Sequence, residues 1–341
     1  MSEPVPWRMA WQRALYGPDG FYRRAEGPAG HFTTATHGGT GRALARSLWE
    51  WADRFGLDGI VDVGAGRGEL LRHLYAWKPG RPLSGLDVVP RPRDLPDEVD
   101  WVESPGGAGL PPGWRPDRAL VVAHEWLDVV PCTIAEVAPD GTLREVLVPI
   151  PTPDSCSEPH VEPLAGRSST NGSPAASTTN RSLGPPLTGA DLEWCQRFWP
   201  SAFTSEACPG DRVEVGRQRD EAWSALLDRL PAGSVAVAVD YGHTVADRPR
   251  EGTLVAYREG HVVDPVPDGT CDLTAHIAVD SLRQTRRLRQ REAVAAVGAP
   301  DRASAAVDPP AYLQALADQS AVAELRRPGG FGDFWWVIAE V

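Results

Sequence analysis

The 341-residue chain predicts an α/β fold: a Rossmann-like, mostly parallel sheet with helices on both faces. Three observations predict it. Short apolar runs at 59–63, 82–87, 99–103 and 119–123 alternate with helical stretches, the pattern of parallel strands joined by right-handed crossovers. The first run ends in a glycine turn, Asp62-Val63-Gly64-Ala65-Gly66-Arg67-Gly68, that leads into a helix over about 68–77. A later unbroken apolar run, 234–239, ends at Asp240 as a central strand would.

The remaining elements follow from local signals. Residues 3–56 read as mainly helical. Trp7, Met9, Ala10, Ala14 and Leu15 give a partial apolar face, and Tyr16-Gly17-Pro18-Asp19-Gly20-Phe21-Tyr22 reads as a loop. Helical periodicity returns over 42–55, where Gly56 can end the helix. Runs 132–138 and 142–148 flank Pro139-Asp140-Gly141 and read as a hairpin. Residues 151–188 are rich in Pro, Ser, Thr, Gly and Asn and poor in large apolar residues, so burial there cannot offset ordering entropy. A mobile insertion is expected in that stretch. Trp223, Leu226, Leu227 and Leu230 suggest a helix over 214–230, and 253–257 and 334–341 suggest strands. The arginine-rich run 283–291 reads as a solvated helix face. The expected organisation is an N-terminal helical region with a cofactor loop (1–56), a first part of the Rossmann-like domain (57–131), an inserted hairpin with a flexible segment (132–210), and the rest of that domain with a substrate-side insertion (211–341).

Composition narrows the function. The net charge is −12, which argues against nucleic acid as a partner. Lys78 is the only lysine. Five cysteines, Cys132, Cys156, Cys195, Cys208 and Cys271, are scattered without zinc-ligand spacing or a disulfide framework. No metal is expected. The N-terminus lacks an apolar signal core and no run is long enough to span a bilayer, so a cytoplasmic location is expected.

The glycine turn carries the cofactor reading. Its G-x-G-x-G spacing is one residue short of the dinucleotide fingerprint. Asp62 before it can pair with an ammonium, whereas it would repel a pyrophosphate. Both features suit S-adenosyl-L-methionine (SAM) better than NAD; the plain alternative is a tight turn with no ligand. Asp87 ends the second strand about twenty residues on, where an acid accepts hydrogen bonds from ribose hydroxyls. Glu103 ends the third strand and could meet the adenine. The fourth strand runs into His124-Glu125-Trp126-Leu127-Asp128-Val129-Val130-Pro131. Glu125 and Asp128 could grip a guanidinium and hold one nitrogen in line for methyl transfer. Acids capping a helix N-terminus explain them equally well. Asp240-Tyr241-Gly242-His243 follows another buried strand. Alternation would place Asp272, Thr274 and His276 on one strand face, where hydrogen bonding that fixes a loop is the expected role.

These segments in this order resemble the MidA family of class I SAM-dependent methyltransferases, which includes the mitochondrial complex I assembly factor that methylates a protein arginine. The resemblance begins at Ala14-Leu15-Tyr16-Gly17-Pro18-Asp19-Gly20-Phe21-Tyr22 and His31-Phe32-Thr33-Thr34. It passes through the glycine turn and 124–131, then Asp240-Tyr241-Gly242, Gly252-Thr253-Leu254-Val255-Ala256-Tyr257, Asp264-Pro265 and Gly269-Thr270-Cys271-Asp272-Leu273-Thr274-Ala275-His276. It implies a reversed last strand and an added substrate-side subdomain. It also implies SAM contacts from the Thr34 loop, Gly64, Gly66, Gly68 and Asp87; beside these, Asp62, Glu103 and His124 stand as further cofactor candidates. Acceptor roles fall to Glu125 and Asp128. A protein substrate is implied, with a respiratory-complex subunit as the precedent, and a homodimer is left open. Four features depart from the family: His124 replaces a usual Asn, His31 a usual Asp, Asp62 a frequent Glu, and Ala35-Thr36-His37 the Ser-Pro-Glu pattern. The changed loop after Thr34 and His124 motivate a second expectation, a non-catalytic assembly or binding protein that keeps the fold.

Overall fold

A computed structural model describes residues 3–24, 34–150, 181–298 and 304–341. Seven strands form the main sheet: β1 (Ile60–Val63), β2 (Leu83–Asp87), β3 (Val99–Glu103), β4 (Leu120–His124), β5 (Val235–Asp240), β6 (Arg286–Arg289) and β7 (Trp335–Glu340). Their order is β6-β7-β5-β4-β1-β2-β3. Strands β1 to β5 pair in parallel, and β7 runs antiparallel to both β5 and β6. The reversed last strand is therefore present. Connections leave β1 and β4 in opposite directions across the sheet, and such a switch point opens a crevice at the carboxyl ends of the strands.

Strand alternation builds two apolar layers. In β4, Leu120 and Val122 face one layer while Val121 and Ala123 face the other. In β5, Val235, Val237 and Val239 alternate with Ala236 and Ala238. The first layer is closed by three helices: Gly38–Arg54 with Leu44, Leu48 and Trp49, Glu69–Trp77 with Leu71 and Leu74, and Pro309–Leu325 with Val322 and Leu325. The second is closed by Arg217–Leu227 through Trp223, Leu226 and Leu227. Side chains of this size each contribute roughly 1.5–3 kcal/mol on burial.

A second, antiparallel sheet holds the expected hairpin, Thr133–Val137 and Leu143–Val148, whose turn uses Gly141 at φ +77°. Arg212–Val215 pairs on one side of it and Val5–Pro6 on the other. Strand Asp272–Thr274 lies in a small three-stranded sheet with Val255–Arg258 and His261–Val263. Helix Trp7–Tyr16 packs there, and Trp11 donates its indole N–H to the Leu273 carbonyl at 3.1 Å.

Three local expectations need correction. Ser182–Pro186, expected in a loop, is a strand beside Leu143–Val148; residues 151–180 of that expected loop lie outside the described residues. Glu214 and Val215 belong to a strand, because Arg212-Val213-Glu214-Val215 alternates, and the helix starts only at Arg217. The arginine run is an edge strand, β6, followed by a short turn of helix at Gln290–Ala293. Its stems find aromatic faces: the guanidinium of Arg289 lies 3.5 Å from the Trp335 ring centroid and that of Arg286 4.9 Å from Trp51. A charged edge also discourages edge-to-edge association. Among the described residues, no helix is long and apolar enough to cross a membrane.

Candidate functional site

The crevice at the carboxyl ends of β1, β2 and β4 is a cavity of about 1170 Å³, its open mouth included. Its floor is the glycine turn. The N–H groups of Gly64 and Ala65 both donate to the Leu86 carbonyl, at 2.9 and 3.0 Å, which fastens the turn to β2. Gly64 sits at φ +75°, and a Cβ there would come within 3.1 Å of Trp126. Both constraints require glycine. The Gly66 N–H donates to Asp87 Oδ2 at 2.8 Å, and the Val89 N–H to Asp87 Oδ1 at 3.2 Å. Asp87 thus shapes the turn while its remaining lone pairs border the cavity. Burial pushes its carboxyl up to about 6, against the pull of those N–H groups.

Asp62 is buried under the turn and has no basic partner among the described residues. Burial, with the charges of Asp87 and Glu69 behind it, raises its carboxyl to about 8. Thr34 also lines the cavity; its hydroxyl bonds to Thr36 Oγ1 at 2.6 Å and His37 Nδ1 at 2.7 Å. His31, Phe32 and Thr33 lie outside the described residues. His124 is 5% exposed and lines the cavity; its Nε2 has no hydrogen-bond partner among the described residues. Burial lowers the imidazole to about 4, so it is neutral near pH 7. Glu103 is set apart from this group. It ends the edge strand β3 with its side chain exposed, and Ser104, Gly106 and Gly107 form the wall there instead.

The other end of the cavity is acidic. Glu125 has a left-handed backbone, φ +50°, unusual for a residue with a Cβ and costing on the order of 1–3 kcal/mol. That turn is held from below: the Glu125 N–H donates to Val239, and those of Leu127 and Asp128 donate to Asp240 Oδ2 at 3.0 and 3.1 Å. The acids at 125–128 therefore do not cap a helix; they stand on a loop braced by β5. Asp128 is 4% exposed, with Oδ2 accepting from Thr274 Oγ1 at 2.7 Å and Oδ1 without a partner among the described residues. Glu125 Oε1 likewise has no hydrogen-bond partner among the described residues and lies 3.5 Å from His124 Nδ1. Burial, reinforced by Asp128 and Asp272, raises the Glu125 carboxyl to about 8.

Asp272 and Thr274 do meet at this site: Asp272 lines the cavity and Thr274 reaches Asp128. The strand stops at Thr274, so His276 lies beyond it, exposed. Tyr22 donates its hydroxyl to Asp272 Oδ1 at 2.7 Å, and burial raises the Asp272 carboxyl to about 7. Tyr16 and Tyr22, 5.5 Å apart between ring centroids, also line the cavity.

Sequence reasoning missed Arg219. Its side chain is buried, yet its guanidinium meets backbone carbonyls rather than a carboxylate: Val130 at 3.0 Å, Ala275 at 3.0 Å, His276 at 2.9 Å and Asp128 at 2.7 Å. It also lies 5.6 Å from the Trp11 ring centroid. One side chain therefore ties the acid loop to the segment after Asp272–Thr274. The signal was available, since Arg219 shares the helix stripe of Ala222, Trp223 and Leu226. Tyr16 and Tyr22 lie in a turn and in the first segment that carries the resemblance, with no site role read for either. Among the described residues, no group of three or more His, Cys, Asp or Glu is placed to hold a metal ion.

A protein-family model described as "Putative S-adenosyl-L-methionine-dependent methyltransferase" matches residues 85–296. A "likely methyl transferase" from Burkholderia thailandensis, solved bound to S-adenosyl-homocysteine, is 19% identical, with a TM-score of 0.68 over 98% of this chain and 87% of that one. A native structure from the same superfamily and organism is also 19% identical, with a TM-score of 0.67 over 99% and 87%. No curated protein sequence matches the chain.

Proposed function

The chain belongs to this family of SAM-dependent methyltransferases, and on that footing we propose that it methylates a protein side chain, an arginine guanidinium, held by Glu125 and Asp128. The observation that carries the acceptor reading is the pair of orphan oxygens, Asp128 Oδ1 and Glu125 Oε1, buried in one acidic cavity. Buried carboxylate oxygens without partners are costly, and a bidentate cation relieves that cost.

The residues fit the cofactor. Asp62, buried without a basic partner, would meet its ammonium; the Gly64–Gly68 turn leaves room where a Cβ would intrude; Asp87 would accept from the ribose; Thr34 and His124 would line its path. Bound there, SAM supplies an activated methyl group on a sulfonium. Each methylation forms one N–C bond, breaks one C–S bond and releases one proton from the acceptor nitrogen. Glu125 is suited to take that proton, because burial holds its carboxyl near neutral pH. Neutral His124 beside it adds no competing charge.

The first test is calorimetric titration of the full chain with S-adenosylhomocysteine, with NADH as control. Binding of the former alone is expected. The second is transfer of labelled methyl from SAM to proteins of a cell lysate, with the label mapped to arginine. The Glu125→Gln/Asp128→Asn variant should keep cofactor binding and lose transfer by about a hundredfold or more. Cofactor binding with no transfer to any protein would favour the non-catalytic reading, and label on another side chain would refute the arginine assignment.

A further inference from the structure

Two segments lie outside the cofactor cavity yet border its acidic end. Asp240, which braces the acid loop, is followed by Tyr241, whose N–H donates back to Asp240 Oδ1 at 2.9 Å. The Tyr241 ring is 38% exposed. It packs edge-on against buried Phe334, with centroids 4.0 Å apart, and Phe334 lies 5.8 Å from the His124 ring. Tyr241 also stacks on His276, with centroids 5.7 Å apart and planes within 14°. His276 is fixed through its backbone: its N–H donates to Thr253 Oγ1 at 2.8 Å and its carbonyl accepts from Arg219. That same guanidinium holds the Asp128 carbonyl. One frame therefore positions the stacked rings and the acid loop together. After desolvation, the charges of Glu125 and Asp128 raise the Tyr241 phenol further, so the ring stands within their field. Neither Tyr241 nor His276 lines the cofactor cavity.

Resting on the reading that Glu125 and Asp128 hold a guanidinium, we propose that the stacked rings of Tyr241 and His276 are the platform on which that planar cation lies as it reaches them. A guanidinium stacks on an aromatic face while its edge hydrogen-bonds carboxylates, so one acceptor group satisfies both surfaces. An ammonium on a flexible stem lacks the flat face and would use the platform less.

The experiment uses the full chain saturated with S-adenosylhomocysteine and titrated with N-acetyl-arginine methylamide, with the lysine analogue as control. The parent should bind the arginine compound in preference to the lysine compound. Tyr241→Ala should weaken that binding by about tenfold, His276→Ala by less, and Tyr241→Phe hardly at all. S-adenosylhomocysteine binding should be unchanged in all three, which also reports that they fold. Equal binding of the arginine compound by the parent and Tyr241→Ala would overturn the platform and leave the acceptor assignment standing. No arginine binding by a parent that still binds S-adenosylhomocysteine would overturn both.

Discussion

The two ends of the cavity are built on different plans. The end proposed for the cofactor is built around one short stretch, 62–69, with Asp87 on the neighbouring strand. The N–H groups of its glycine turn are satisfied close by, by the Leu86 carbonyl and the Asp87 carboxylate, while Arg67 Nε has no hydrogen-bond partner among the described residues. The end proposed for the acceptor gathers Tyr22, Glu125, Asp128, Arg219, Asp240 and Thr274 from separate parts of the chain, and among the described residues it leaves carboxylate oxygens unpartnered. A locally closed unit tolerates change elsewhere. An end assembled from distant segments depends on whatever holds those segments together, and here that is Arg219.

Replacing Arg219 should therefore give the largest effect. Arg219→Met removes the donor to four backbone carbonyls and should destabilise the fold by about 3–5 kcal/mol, read by denaturant unfolding. Arg219→Lys keeps the charge but cannot spread over four acceptors, so it should recover only part of the loss. Under conditions where the variant stays folded, S-adenosylhomocysteine affinity should change little. Equal damage to both ends would break the contrast.

A smaller effect separates the ends by pH. Burial raises Asp62 and Glu125 to about 8 and Asp272 to about 7. These carboxyls hold protons in the folded state that the unfolded chain has already released. Their contribution to stability is complete below the ordinary carboxylate range and is lost as pH rises toward 8. The melting temperature of the ligand-free protein should fall across that window, on the order of a few degrees. In the proposed binding mode S-adenosylhomocysteine would place an ammonium by Asp62 and should remove only the part of the slope that Asp62 contributes. The part from Glu125 and Asp272 should persist and shrink in Glu125→Gln. If the ligand abolished the whole slope, the two ends would be one electrostatic unit.

The same contrast explains what the sequence could reveal. The glycine turn, Asp87 and the strands β1 to β5 were legible because spacing and periodicity are local. So were Glu125 and Asp128 as candidates, since they follow a strand end. Their bracing by Asp240, the Thr274 bond and the Arg219 clamp were not legible, because each joins residues far apart along the chain. The arginine run misled for a related reason. Its charge pattern suits a solvated helix, but pairing with β7 and stacking on Trp335 make it a strand. Tertiary contacts override a weak local preference there.

The smallest expected effect concerns Glu103. By position at a strand end it is the counterpart of Asp87, and β2 and β3 pair the two residues directly. Their surroundings differ. Asp87 has the glycine turn on one side and two backbone N–H donors in reach, whereas Glu103 ends an edge strand with its side chain exposed. Glu103→Ala should therefore change S-adenosylhomocysteine affinity by less than about twofold, within the roughly 0.5 kcal/mol typical of surface substitutions. Asp87→Ala should weaken it by at least about tenfold, since it removes both the proposed ribose acceptor and the anchor of the Gly66 N–H. Calorimetry on the two variants side by side checks this. A comparable loss from Glu103→Ala would mean that the adenine reaches past Ser104 to the sheet edge, and that the cofactor end is less closed than its hydrogen bonds indicate.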